Sequence, residues 1–418
     1  MKRAIVLSGG GSKGSYEVGF MQALKELHIS YDIITGTSIG ALNGALIAQG
    51  DFKAMEDLWK ILDINHVFNG VPDLAFIKDD FMNQSNMALS FFKKYLLNKG
   101  ADVTPFYDIC KNLLDTKKLL SSPIDFGLCT VKYPLLKPLF ITKSEMETEH
   151  IYDYLMASAA CFPVFPIIDI NGESYVDGGY YDNLPIDLAL DMGADEIIAV
   201  DLHMDAVHPA YLSRPHIIYT SPYVDLGTFM DFTPEVLERN RQIGYLTAMK
   251  YFGKYEGKVY TFKKHTDPLF EKYYRTILFL EKNMRSLVNG NANDATLTLM
   301  NGNHGLPLDV KDYTYVTMDF IGDLLGFDDL NVYAFNDFIK KAKKEFVAFV
   351  SPDYLPEKMK KTELAKRLAK LNRKTIVGFI LHQLLYPENE VFDIKTYATF
   401  FMKELLMAEL LYLVYQQD

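Results

Sequence analysis

The sequence predicts an α/β protein: a three-layer α/β/α core on a mostly parallel sheet, followed by a mainly helical C-terminal extension. Three observations carry this expectation. From Lys2 to about Val200, short apolar runs alternate with helix-length amphipathic stretches, the pattern of βαβ units. Two glycine-flanked motifs each stand between such a run and a helical stretch, where α/β proteins place chemistry. From Asp312 to Asp418 the pattern is almost uninterrupted helix.

Taken in order, Ala4 to Leu7 is the first candidate strand, and Tyr16 to Leu27 a helix with Val18, Met21, Leu24 and Leu27 at helical spacing. Between them stands Gly9-Gly10-Gly11-Ser12-Lys13-Gly14. Glycines let backbone N–H groups crowd at a helix N-terminus, which suits a pyrophosphate or a reaction's oxyanion. Gly9, Gly11 and Gly14 also form GxGxxG, with Asp32 roughly 20 residues on, so a dinucleotide-binding protein is one reading. A tight βα turn without a ligand is the plain alternative. The loop is not a P-loop, because Lys13 precedes the last glycine.

Asp32 to Thr35 reads as the second strand and Ala41 to Gln49 as a helix, joined by Gly36-Thr37-Ser38-Ile39-Gly40. GxSxG between strand and helix is a nucleophile elbow: the glycines tolerate a sharp turn that presents the serine hydroxyl at a helix N-terminus. Asp125 to Thr130 and Leu139 to Thr142 follow as strands. A strand-like Ser174 to Val176 delivers Asp177 onto a Gly178-Gly179 turn, and Asn183, Leu184 and Pro185 lead into the next helix. Glu196 to Asp201 is another strand. After Pro222 a loop reaches a helix with Thr233 as N-cap and Pro234 at its first position, and Lys258 to Lys263 is a strand that closes the core. The Asn- and Gly-rich stretch 286–309 then reads as a linker or long loop.

The GGGxKG loop, GTSIG, the ASAACFP block from Ala157 to Pro163, and DGGxxxN at Asp177 to Asn183 occur in that order. Together they closely resemble the patatin-like phospholipases over about residues 3–202, and more weakly to about 262, where LGTFMDFTPEVLERN is similar to bacterial members. The resemblance implies a patatin-like core and a lipid acyl hydrolase of phospholipase A or lysophospholipase type. It makes Ser38 the nucleophile, Asp177 its general base, and the loop Gly9, Gly10, Gly11, Ser12, Lys13 and Gly14 the oxyanion hole. Gly36, Gly40, Gly178, Gly179 and Asn183 are supporting motif positions, and neither metal nor cofactor is required. Lys13 stands where many members have arginine, a mild departure between unequal donors.

Three alternatives remain open at this point. A Ser/Asp/His triad would draw its histidine from His203, or second from His208. A dinucleotide-binding protein would use the first loop and leave Ser38 structural. A non-catalytic lipid-binding module would keep the motifs without turnover.

The division expected is a catalytic domain over residues 1–262 and a mainly helical region over 263–418. The net charge of −11 belongs to the first part, with 22 basic against 33 acidic residues, while the second has 21 of each. An acidic surface excludes nucleic acid as the main partner, since backbone phosphates need a basic one. The neutral total of the second part conceals Lys340 to Lys374, with 12 basic and 4 acidic residues, where Leu364, Leu368 and Leu371 share a helical face. Such a helix fits peripheral contact with anionic lipid, with the apolar run Ile376 to Leu385 alongside; a solvated helical face is the plainer reading. The end, Tyr397 to Tyr415, reads as a buried packing helix rather than an acyl groove.

No stretch reads as a membrane span. Ile33 to Gly50 is diluted by polar residues and glycines, and its Gly36, Gly40 and Gly44 series is explained by packing at the elbow rather than by membrane dimerisation. The first apolar run is too short for a signal peptide, and Cys110, Cys129 and Cys161 lie too far apart for a thiolate metal site. The expectation is a cytoplasmic protein, peripheral on the inner face of the membrane at most.

Overall fold

The structure is a computed structural model that describes residues 1–69, 101–285, 308–347, 370–387 and 394–417. Contacts divide the chain into two units, Met1–Ala248 and Met249–Asp418.

In the first unit the chain runs β1 (Arg3–Leu7), α1 (Gly14–Glu26), β2 (Ile33–Thr37), α2 (Ile39–Ala48), α3 (Phe52–Ile61), α4 (Ile64–Val67), α5 (Thr104–Leu113) and α6 (Thr116–Ser121). It continues through β3 (Asp125–Tyr133), β4 (Lys137–Thr142), α7 (Ile151–Ser158), β5 (Ile168–Ile170), β6 (Glu173–Asp177), α8 (Ile186–Asp191), β7 (Glu196–Val200), β8 (Ile217–Thr220) and α9 (Pro234–Tyr251), whose last three residues lie past Ala248. The strands form one eight-stranded sheet in the order β5-β6-β3-β2-β1-β7-β8, with β4 also paired to β3. From β3 through β2, β1 and β7 to β8 every pairing is parallel, while β4, β5 and β6 join antiparallel.

Parallel strands covered on both faces are apolar throughout, and Ala4, Ile5, Val6 and Leu7 of the central strand have no exposed surface. Successive residues of β3 show the layers. Phe126 meets the α2 helix at Gly44, where a Cβ would stand 3.2 Å from its ring, and Gly127 lies against Leu188 of α8 on the other face. The three-layer expectation therefore holds. The strands at 4–7, 32–35, 125–130, 139–142 and 174–176 are found with slightly different ends, whereas β5 and β8, of three and four residues, had no periodic signal.

One register detail positions the site. β4 pairs with β3 over Gly127 to Lys132, overlapping both the β2 pairing, which ends at Thr37 opposite Cys129, and the β6 pairing, which begins at Asp177 opposite Thr130. A strand has two edges, so β2 and β6 share the one that β4 leaves. They meet end to end there, with their C-terminal residues at neighbouring positions of β3.

The second unit contains β9 (Tyr255–Glu256), β10 (Thr261–Lys263), α10 (Pro268–Arg285), α11 (Val310–Leu325), β11 (Val332–Tyr333), α12 (Phe335–Val347), α13 (Arg373–Leu385), α14 (Ile394–Phe400) and α15 (Met402–Tyr415). The strand expected at 258–263 is thus β10, and it pairs with β9 and β11 in a separate three-stranded sheet rather than closing the large one. The apolar run of α13 is buried: Ile376, Val377, Phe379, Ile380 and Leu381 join the core cluster with Leu405, Leu406, Leu410 and Leu411 of α15. That burial removes α13 as a lipid-facing surface and makes α15 the packing helix expected. Leu364, Leu368 and all but the last two residues of the 286–309 stretch lie outside the described residues. No described helix is long and apolar enough to cross a membrane.

Candidate active site

Ser38 follows β2 directly and forms the N-cap of α2 with φ 56 and ψ −125, a conformation a serine adopts only when its surroundings impose it. The imposing groups are backbone. A Cβ on Gly40 would lie 2.5 Å from the Leu7 carbonyl oxygen, so only glycine lets α2 start this close to β1. The Ser38 N–H donates to Ser158 Oγ at 2.9 Å, and Ser158 donates onward to the Cys129 carbonyl at 2.7 Å. This bridge ties the elbow to β3 through the first turn of the ASAACFP block.

Asp177, at the end of β6, completes the pair: Ser38 Oγ donates to its Oδ2 at 2.7 Å across 139 residues of sequence. The Gly179 N–H donates to the other oxygen, Oδ1, at 2.8 Å. Burial pushes the carboxyl up to about 6, against the two hydrogen bonds, which favour the anion. Gly178 has no room for a side chain, since a Cβ would meet the Cys129 carbonyl oxygen at 2.2 Å.

The glycine loop is clamped from two sides. Asn183 accepts from the Gly9 N–H at 3.0 Å through its own carbonyl, and its side-chain amide donates to the Gly9 carbonyl at 3.0 Å. On the other side the Phe229 carbonyl accepts from the Ser12 N–H at 2.9 Å, and Ser12 Oγ donates to the Thr228 carbonyl at 2.9 Å. Gly11 has φ +56 and its Cβ would stand 2.2 Å from that Phe229 oxygen. Ser12, Lys13 and Gly14 spend their N–H groups inside the turn or on its clamp, as Gly9 does on Asn183. Only Gly10 and Gly11 of this loop have N–H groups without an acceptor among the described residues.

Ser38, Asp177, Gly9 to Gly11, Lys13, Gly179 and Asn183 line one cavity of about 610 Å³, within the range of small-molecule sites. Its remaining wall is largely apolar, from Ile39, Leu42, Phe106, Phe165 and the loop Phe229 to Phe232. Gly36, Gly40 and Gly178 serve as packing positions behind it. Ser158 and the 228–232 loop have structural parts that their motifs, ASAACFP and LGTFMDFTP, did not by themselves disclose. Phe106 came with no signal, since it reaches the site only through the packing of α5.

The geometry bears on two of the alternatives. His203 lines the cavity with its Nδ1 2.8 Å from the buried Asp201, as a triad histidine would have, but Ser38 Oγ donates directly to Asp177 at 2.7 Å with no imidazole between them. His208 is bonded to Asp182 at 2.9 Å instead. Asp32 precedes β2 and accepts from the Arg3 N–H at 2.9 Å, so it sits at the opposite end of that strand from the ribose-binding acid of dinucleotide folds.

The profile of the patatin-like phospholipases matches residues 5–190. Among curated proteins the chain is 28% identical over 208 residues to patatin-like phospholipase domain-containing protein 7 of Rattus norvegicus, a match covering 48% of this chain and 13% of that protein. It is 28% identical over 211 residues to lysophospholipase nte1 of Aspergillus terreus, covering 47% and 12%. It thus matches only a small part of the length of these relatives. Among solved structures, VipD from Legionella pneumophila aligns with a TM-score of 0.38 at 14% identity, covering 98% of this chain and 90% of that one. The likeness to the patatin-like phospholipases is carried by residues 5–190, somewhat less than half of the chain.

Proposed function

We propose that this protein is a serine lipid acyl hydrolase, acting on carboxylic esters as a phospholipase A or lysophospholipase does, and that Ser38 and Asp177 form its catalytic dyad. The observation that carries the reading is the direct 2.7 Å hydrogen bond from Ser38 Oγ to a buried carboxylate at the floor of an apolar cavity. A carboxyl held at about 6 is ionised at neutral pH yet basic enough to accept the serine proton.

In the first half-reaction Asp177 takes the Ser38 proton as Oγ bonds to the ester carbonyl carbon. The carbonyl oxygen becomes an oxyanion, and the unpaired N–H groups of Gly10 and Gly11 are the donors best suited to hold it. Collapse breaks the ester C–O bond, and Asp177 returns the proton to the departing alcohol. Water then repeats the sequence on the acyl-enzyme, releasing the fatty acid and restoring Ser38. The reaction balances without metal or cofactor. Lys13 on the same wall offers a cation to the polar part of the substrate.

The test is hydrolysis of a lipid panel by wild type and Ser38→Ala, with products identified by mass spectrometry, together with fluorophosphonate labelling. Wild type should release fatty acid and take the label at Ser38, and the variant should do neither. A panel with no Ser38-dependent product would favour the non-catalytic lipid-binding module.

A further inference from the structure

The β3–β4 hairpin ends in Tyr133-Pro134-Leu135-Leu136, and its apolar side chains face outward: Leu135 is 73% exposed, Leu136 51% and Tyr133 41%. Such a cluster has a cost in water that calls for a partner. The patch is continuous with the cavity. The Tyr133 ring lies 6.0 Å from that of Phe162, whose carbonyl accepts a hydrogen bond from the Tyr180 hydroxyl, and Tyr180 lines the cavity wall. Beside it Phe140 and Tyr181, both exposed, stand with ring centres 6.2 Å apart.

Charge frames the tip. Lys132 and Lys137 are directly opposite each other at the last pair of the β3–β4 ladder. Like charges at such a pair oppose hairpin closure, and only Lys132 is relieved, by Glu173; Lys137 forms no ion pair among the described residues. Four residues at the tip fall well short of the roughly 20–30 a side of a stable protein interface. Leucines at the apex, tyrosines behind them and lysines at the base match the depth profile of a bilayer: hydrocarbon, interface and headgroup.

We propose that the β3–β4 hairpin docks this protein on a lipid bilayer, Leu135 and Leu136 entering the acyl region while Lys132 and Lys137 remain among the headgroups. The strip through Phe162 and Tyr180 then connects the bilayer with the cavity. The assignment rests on the reading of that cavity as a lipid hydrolase site.

Co-sedimentation with phosphatidylcholine vesicles measures docking without catalysis. Wild type should sediment with the vesicles in low and high salt, since insertion is apolar. Leu135→Gln/Leu136→Gln, at exposed positions where folding is checked by circular dichroism, should bind at least about tenfold more weakly. Its hydrolysis of vesicle lipid should fall in parallel, and its hydrolysis of a short water-soluble ester should stay at the wild-type rate. Lys137→Glu should weaken binding to vesicles containing phosphatidylglycerol more than to phosphatidylcholine alone. Wild type that ignores vesicles, a double variant that sediments like wild type, or equal losses on soluble and vesicle substrates would each overturn the proposal. Ser38→Ala separates the two readings: it should bind vesicles normally and hydrolyse neither substrate, and residual hydrolysis would refute the dyad while leaving the sedimentation result to judge the hairpin.

Discussion

Asp177 accepts from Ser38 and from Gly179, and both bonds stabilise its anion, yet burial holds its carboxyl at about 6. Two consequences follow from that balance. In the proposed reaction the base must be ionised, so kcat/KM on a soluble ester should fall about tenfold per pH unit below about pH 6. Stability should move the other way. Below 3.8 the group is protonated in both states; between 3.8 and about 6 only the unfolded chain ionises, so the folded state loses stability as pH rises through that window. Above it the deficit is constant, on the order of 3 kcal/mol. Asp177→Asn should therefore be inactive but raise the Tm near about pH 8, with the gain shrinking toward about pH 4. An Asn variant less stable at both pH values would mean that the carboxylate is better compensated than its burial implies. Ser38 and Asp177 were legible as motifs, but their hydrogen bond was not, since it depends on a register between distant strands.

At the scale of elements, the elbow works because α2 starts against β1 with nothing between them. Gly40→Ala would press a methyl into the Leu7 backbone at 2.5 Å, and backbone of a central strand cannot step aside. The expected loss is about 1–3 kcal/mol or more by urea denaturation, with ester hydrolysis falling as Ser38 is displaced. Gly44→Ala, whose Cβ would meet the Ile34 and Phe126 side chains, should cost less. β1 could be read in the sequence because the apolar run Ala4 to Leu7 leads within one residue into three glycines, a combination with few other meanings. β8 could not, since Ile217 to Thr220 is too short to show a period. The 228–232 loop illustrates a different limit. Its phenylalanines look like core, and its function as a clamp resides in the Phe229 and Thr228 carbonyls, which every residue has.

Across the whole molecule, the residues proposed for chemistry all belong to Met1–Ala248, while Met249–Asp418 is built around its own aromatic and leucine core. Phe338 is fully buried there. Phe338→Ala should cost about 3–5 kcal/mol in stability, while kcat/KM per folded molecule on a soluble ester stays at the wild-type value. A drop in kcat/KM without unfolding would show that the second unit contributes to the reaction. The helical character of that unit and the burial of α15 were evident from periodicity, and the burial of α13 was not. The Ile376 to Leu385 run fits a lipid-facing segment until α15 is seen to be its partner.

The end-to-end meeting of β2 and β6 along β3 also gives the protein a clock. Ser38 cannot reach Asp177 until β3 has paired with both strands, and those pairings enclose most of the first unit's chain. During refolding, helical signals and collapse should thus recover first, and fluorophosphonate reactivity should be among the last properties to return.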